Sequence, residues 1–292
     1  MESVLQGVPQ SLRLWGRLVK FSHSIFALPF ALSMLLVVAK DQLPDLHQVF
    51  LIILALVSAR TAAMAFNRLV DHEIDALNPR TKRRELPAGE ISRQGAWMLV
   101  LVSAVIFVLS AFGLGRHCLI LSPLVLAVLF LYSWTKRFTS WSHFILGLCL
   151  AMAPGGVWYA LTAEFAFLPV IMMLAVLFWV AGFDILYSCQ DIAFDRKYGL
   201  QSIPSRLGAE RSFQLAMAGH VISILLLAWF GVEAGLKSWY FVGLALFGIV
   251  LFSQYTVVSS KDLRRMDAAF FTRNGLASVV FFAGMLLDRI LA

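Results

Sequence analysis

Long apolar runs alternate with short polar breaks along the whole chain. They lie at about 24–39, 49–70, 96–113, 119–134, 143–160, 167–189, 215–231, 240–258 and 268–287. Most approach the ~17 to 25 residues that a helix needs to cross hydrocarbon. Backbone polar groups have no water to bond there, so runs of this length imply helices. The pattern predicts an all-α, polytopic membrane helix bundle of about nine transmembrane helices. The first run is short, and Pro154-Gly155-Gly156 predicts a break or kink in the fifth. No Gly/Ser-rich or Pro-rich linker interrupts the series, which predicts one membrane-embedded domain over 1–292.

Composition agrees. Of 292 residues, 60% are hydrophobic and 14% charged, against roughly 25% charged in ordinary soluble domains; mean hydropathy is +0.81. The net charge of +7 raises the question of nucleic acid, but the placement of the basic residues answers it. Arg13, Arg17 and Lys20 precede the first run, Arg80, Lys82, Arg83, Arg84 and Arg93 follow the second, and Lys136 and Arg137 follow the fourth. Arg196, Lys197, Arg206 and Arg211 follow the sixth, and Lys261, Arg264 and Arg265 the eighth. The loops between carry Lys40 with Asp41 and Asp45, then Arg116, then Glu164, then Glu233 with Lys237, and are nearly neutral. Such alternation is a topology signal, predicting a cytoplasmic N-terminus and cytoplasmic basic loops; an odd helix count would put the C-terminus outside. The basic start resembles a signal-peptide n-region, but Pro29 is followed by more apolar sequence without a small-x-small cleavage site, so a retained first helix is expected. Cys118, Cys149 and Cys189 are odd in number and widely spaced, predicting neither a disulfide framework nor a zinc site.

One stretch departs from the apolar pattern. Asn67, Asp71 and Asp75 stand four residues apart where the second run ends, a spacing that keeps one helical face. Asp184, Asp191 and Asp195 repeat the device at the end of the sixth run, and aligning Asp71 with Asp191 also aligns Asp75 with Asp195. A lone pair of this kind reads as a solvated helix end, paired with Arg68, Arg80 or Lys82. Repetition on the same predicted membrane side argues instead for a magnesium site holding a phosphorylated ligand, because crowded carboxylates repel without cations and oxygen ligands suit hard ions.

Basic residues follow each acidic set: Arg80, Lys82, Arg83 and Arg84, then Arg196 and Lys197 running to Arg206. They serve topology, and they are also suited to grip a diphosphate. Tyr132 and Lys136 are four residues apart at the end of the fourth run; they read either as an interfacial pair or as a hydroxyl and an ammonium offered on one face. Phe66, Phe183, Tyr187 and Phe194 lie near the acidic sets, where a ring face can stabilise a cation, although most aromatics in such a bundle are packing. His23, His72, His117, His143 and His220 show no ligand spacing and are expected to be structural.

Together Asn67-x3-Asp71-x3-Asp75, Arg84-Glu-Leu-Pro-Ala-Gly89, Tyr132-Ser-Trp-Thr-Lys136-Arg137 and Asp184-x6-Asp191-x3-Asp195 with Lys197 and Gly199 resemble the UbiA family of intramembrane prenyltransferases, over essentially the whole chain. The resemblance implies a bundle around a central cavity, open to the cytoplasm and laterally to lipid, in a bacterial inner membrane. It implies magnesium ions on Asn67, Asp71, Asp75, Asp191 and Asp195, with a polyprenyl diphosphate. Asp184 would face the reacting centre as a catalytic residue beside Asp71 and Asp191, with Arg80, Tyr132, Lys136 and Lys197 as diphosphate contacts. Arg68 stands where many members carry an acidic residue. The acceptor implied is a hydroxylated aromatic acid, either 4-hydroxybenzoate or 1,4-dihydroxy-6-naphthoate, for ubiquinone or menaquinone biosynthesis. Lys20 and Arg68 are the cations available to pair its carboxylate. No protein partner and no nucleic acid are expected. Two rivals share the carboxylates: a secondary transporter, which usually sites them near the bilayer midplane, and a lipid phosphotransferase, whose product would keep a phosphate.

Overall fold

The polar breaks become turns and the apolar runs become helices. A computed structural model describes residues 10–19, 26–40 and 43–291. In chain order the helices are α1 (Gln10–Leu18), α2 (Leu28–Val38), α3 (Leu46–Val70), α4 (His72–Leu77), α5 (Arg93–Leu114), α6 (Arg116–Thr135) and α7 (Ser142–Thr162). They continue as α8 (Phe167–Ser188), α9 (Ile192–Tyr198), α10 (Ile203–Glu233), α11 (Ser238–Phe252), α12 (Gln254–Val257), α13 (Met266–Ala268) and α14 (Asn274–Leu291). The described residues form no strand beyond one bridge between Ser259 and Asp262.

Among these residues eight helices are long and apolar enough to cross a membrane. The first expected span is the exception. It forms only α2, 11 residues, about 16 Å long at ~1.5 Å per residue, half of a ~30 Å hydrocarbon core. Of the break or kink expected at Pro154, the break does not occur: α7 runs through it from Ser142 to Thr162. The interruption of the longest helix is instead at Gly208 in α10, whose φ of 79° and ψ of 171° are open to glycine and costly for other residues. On the long helices large apolar side chains face outward, among them Leu109, Phe112, Leu225 and Ile249, each more than three-fifths exposed. A surface this apolar associates in water and is satisfied in lipid.

By its contacts the chain divides into two units, one drawn from 1–24 and 50–133, the other from 25–49 and 134–292. In the first, Leu18, Ala65, Phe66, Leu69, Leu86, Ile91, Ala96 and Val100 form a buried cluster, with Trp15 and Phe130 against it. Phe66 packs on Phe130 at 4.5 Å between ring centroids and edge-on to Trp97 at 5.8 Å. Leu86 and Ile91 thus fold the basic loop back onto the helix that carries the acidic residues. Ser92 ends the loop by accepting from the Gly95 N–H at 3.0 Å, a helix N-cap for α5.

In the second unit α8 packs between α7 and α10, α2 lies against α7 and α14, and α11 pairs with α14. Small residues allow the close crossings. A methyl group on Gly147 would meet the Leu177 carbonyl, and Gly243 and Gly284 bring the α11 and α14 backbones together. Phe30, Trp179, Phe247 and Phe281 fill the interior, Phe30 stacking on Phe281 at 4.9 Å. Two of the polar groups buried here are paired across the bundle: Trp179 Nε1 donates to Asn274 Oδ1 at 3.1 Å, and the buried Asp288 accepts from the Lys237 and Tyr240 N–H groups that open α11.

Candidate functional site

The sequence places Asn67, Asp71 and Asp75 on one continuous helical face, but the structure interrupts it. Asp71 separates α3 from α4 with φ −90° and ψ 2°, a sparsely populated backbone region in which active-site residues are often found. The backbone still bonds in helical order, Asp71 N–H to the Asn67 carbonyl at 3.0 Å and Asp75 N–H to the Asp71 carbonyl at 2.7 Å. The three side chains therefore stay neighbours across the bend. Asn67 Nδ2 donates to Asp71 Oδ2 at 3.0 Å. Asp75 is buried, and Arg84 Nη1 bonds both its oxygens at 2.8 and 2.6 Å. Thr81 Oγ1 donates to the Asp75 carbonyl at 3.0 Å, fixing the loop that brings Arg84 back.

The second set has the same local build. Here α8 passes through a 3-10 turn, Cys189–Asp191, into α9, and Asp191 sits at φ −100° and ψ 4°. Asp184, Asp191 and Asp195 thus do not share one regular helix, as their spacing predicts. All three are buried. Ser202 Oγ donates to Asp195 Oδ2 at 2.8 Å, while Ser202 also caps α10 in a reciprocal box with Ser205. Asp184 Oδ2 lies 2.7 Å from His143 Nδ1, and His143 Nε2 accepts from the Ile203 N–H at 3.3 Å. The Gln201 N–H bonds the Lys136 carbonyl at 2.7 Å. Residues 201–203 therefore tie together Lys136, His143 and Asp195.

Of the remaining predicted residues, Lys20 lies outside the described residues. Arg68 is buried, its Nε donating to the Leu18 carbonyl at 3.3 Å, so it helps close the end of α1. Arg80 is exposed in the loop after α4; its N–H bonds Asn78 Oδ1 at 2.9 Å, fixing the turn. Tyr132 is half-buried near the end of α6. Lys197 is exposed at the end of α9, its ammonium 5.3 Å from the centre of the Tyr198 ring. Three residues hold the carboxylates without being assigned that part by the sequence: Arg84, read there as suited to a diphosphate, His143, read as structural, and Ser202. For Ser202 a signal existed, since a serine ahead of Ile-Pro and Ser205 is a helix N-cap pattern. His143 has no local signal, because its partner is 41 residues away.

Whether these residues suit a hard cation is a question of donor chemistry. Asn67, Asp71, Asp75, Asp191 and Asp195 offer only carboxylate and amide oxygens, the ligands that magnesium takes. Among the described residues no three His, Cys, Asp or Glu side chains converge into a metal cluster. Arg84 also occupies both oxygens of Asp75. Cation binding at Asp75 therefore requires that ion pair to yield.

Comparison with known proteins gives the arrangement a family. The 4-hydroxybenzoate octaprenyltransferase of Azoarcus sp. (strain BH72) is 30% identical over 292 residues, covering 96% of this chain and 98% of that one. The protein of the same description from Marinomonas sp. (strain MWYL1) is 28% identical over 275 residues, 92% of this chain and 96% of its own. Among solved structures, the apo form of a UbiA homolog from Aeropyrum pernix K1 superposes with a TM-score of 0.82 at 35% identity, over 91% of this chain and 98% of that one. A UbiA homolog from Archaeoglobus fulgidus, bound to GPP and Mg2+, gives a TM-score of 0.68 at 20% identity over 94% and 99%, a likeness of fold. The model of the UbiA prenyltransferase family matches residues 27–278, and the chain belongs to that family.

Proposed function

We propose that this protein transfers a polyprenyl group from polyprenyl diphosphate to a ring carbon of a hydroxylated aromatic acid, with release of diphosphate. One observation carries the reading: two acidic sets of the same build, each with an aspartate at a helix break and a buried aspartate one turn later. Family membership gives that build its reaction class, and the relatives named 4-hydroxybenzoate octaprenyltransferase support 4-hydroxybenzoate as acceptor. The motifs Asn67-Arg-Leu-Val-Asp71 and Arg84-Glu-Leu-Pro-Ala-Gly89, whose resemblance implies either acceptor, keep 1,4-dihydroxy-6-naphthoate as its rival.

In this reading Asn67, Asp71 and Asp75 would hold magnesium in one unit, and Asp191 and Asp195 in the other. Bound magnesium would offset the charge that grows on the departing diphosphate. Arg80, Lys136 and Lys197 bind diphosphate oxygens, and Tyr132 donates a hydrogen bond. The apolar surroundings exclude water from the allylic centre as its C–O bond breaks. Asp184 takes the hydroxyl proton of the acceptor as the ring carbon attacks, so that the new carbon–carbon bond forms on an electron-rich ring, and loss of the attacked carbon's own proton restores aromaticity. The long isoprenoid tail stays in lipid.

The test is product analysis. Protein in lipid, given polyprenyl diphosphate and each acid in turn with magnesium, is expected to yield a carbon-prenylated acid and free diphosphate by mass spectrometry. A product that keeps phosphate on the prenyl chain, or no consumption of either acid, would overturn the assignment.

A further inference from the structure

His143 carries more than packing. It is wholly buried at the start of α7, and both of its ring nitrogens have defined partners. The Ile203 N–H can only donate, so Nε2 must accept. A ring that accepts at Nε2 is neutral and bears its proton on Nδ1, which is therefore the donor to Asp184 Oδ2 at 2.7 Å. Asp184 has that one hydrogen bond among the described residues: its Oδ2 is fixed, and its Oδ1 accepts from none of them. An aspartate in this state is aligned and still has one oxygen for a proton.

We infer that His143 is a positioning residue for the reaction: its Nδ1–H, locked in that tautomer by the Ile203 N–H, holds the Asp184 carboxylate so that Oδ1 meets the proton leaving the acceptor. The inference rests on the role given to Asp184 under the proposed function. The bland alternative is a core histidine whose partner happens to be acidic. Geometry separates the two, because each nitrogen makes a different prediction. An asparagine amide nitrogen falls near the place of Nδ1 and can still donate to Asp184. A glutamine amide reaches toward the place of Nε2, where it meets the Ile203 N–H and leaves Asp184 without a donor.

Full-length protein in lipid should be compared as wild type, H143L, H143N, H143Q and D184N, with kcat and KM measured for donor and acceptor separately. H143L is expected to lower kcat about ten- to hundredfold, the worth of a hydrogen bond to a charged group, with both KM values within about twofold of wild type. H143N should regain most of that loss and H143Q little of it. If D184N turns over like wild type, the proposed role of Asp184 fails, and His143 loses its purpose with it. If D184N is impaired while H143L is not, only the inference about His143 is overturned. Equal rates for H143N and H143Q would overturn it as well, since a purely structural residue does not distinguish which nitrogen donates. The Asn and Gln pair decides the matter even where H143L fails to fold.

Discussion

Replacing Arg84 with methionine should expose the tension at Asp75. In the wild type one guanidinium nitrogen bridges both oxygens of a carboxylate that is 6% exposed. Removing one partner of a buried pair typically costs about 3 to 5 kcal/mol, because the remaining charge is stranded. The Arg84 side chain is 21% exposed, so solvent already screens part of the interaction, and about 2 to 3 kcal/mol is the better figure. For a chain of 292 residues that corresponds to a fall in melting temperature of about 3 to 5 °C. Removing the charge as well, in D75N/R84M, should recover most of the loss.

Magnesium then discriminates between a structural pair and a metal ligand held in reserve. A cation that binds only the folded state stabilises it by RT ln(1 + [L]/Kd), about 2.7 kcal/mol at a hundredfold excess over Kd. R84M presents Asp75 without an ion pair to break, so magnesium should raise its melting temperature more than that of the wild type. The assay is thermal unfolding of purified protein with magnesium and with chelator. Equal stabilisation of R84M and D75N/R84M by magnesium would refute Asp75 as a ligand. An R84M variant as stable as wild type in chelator would refute the energetic argument for the pair.

Three further outcomes are expected. D71N and D191N should each lower turnover by at least the roughly 10- to 100-fold that loss of a ligand's supporting partner typically costs, and chelator should abolish wild-type turnover; near-normal rates in both variants would remove the metal assignment. Single cysteines introduced near Lys82, Arg137, Lys197 and Arg265 should label from the cytoplasm, and those near Asp45, Glu164 and Lys237 from the opposite side; labelling of the Lys82 and Lys197 positions from different sides would defeat the topology read from the loop charges. D288A removes the acceptor for the N–H groups that open α11 and should cost about 1 to 2 kcal/mol, read as a lower melting temperature with unchanged KM.

The fold was legible because a bilayer imposes one strong rule, that apolar runs of sufficient length become helices. Its errors fall where that rule has least to say. The run at 24–39 is apolar throughout, and among its described residues the helix is Leu28–Val38. Pro154 admits a break or a kink, and α7 continues through it, as membrane helices often do when neighbours satisfy the freed carbonyl. Gly208 supplies the real interruption, at a position whose sequence context does not distinguish it from other glycines.

The site was legible in its carboxylates and opaque in what holds them, and the physical reason is sequence distance. Asn67, Asp71 and Asp75 repeat at a local period, which survives the bend at Asp71 because the backbone bonds stay helical. Arg84 lies nine residues from Asp75, Ser202 seven from Asp195 and His143 41 from Asp184, so no periodicity links them. These supports still bear on function. A buried ion pair is weak grounds for stability, since well-packed apolar groups of the same volume often serve as well or better. Three carboxylates at membrane-helix ends, each held by a single side-chain partner that could release or orient it, therefore ask for a reason other than folding. Chemistry on a charged leaving group is such a reason, and it makes a further demand: the partners should matter unequally. Arg84 must let go of Asp75 for a cation to bind, whereas His143 must keep hold of Asp184 throughout. Loss of Arg84 should therefore cost stability and spare or strengthen metal binding, while loss of His143 should cost turnover and spare binding. Opposite signs at two superficially alike pairs are the outcome that a purely structural account does not supply.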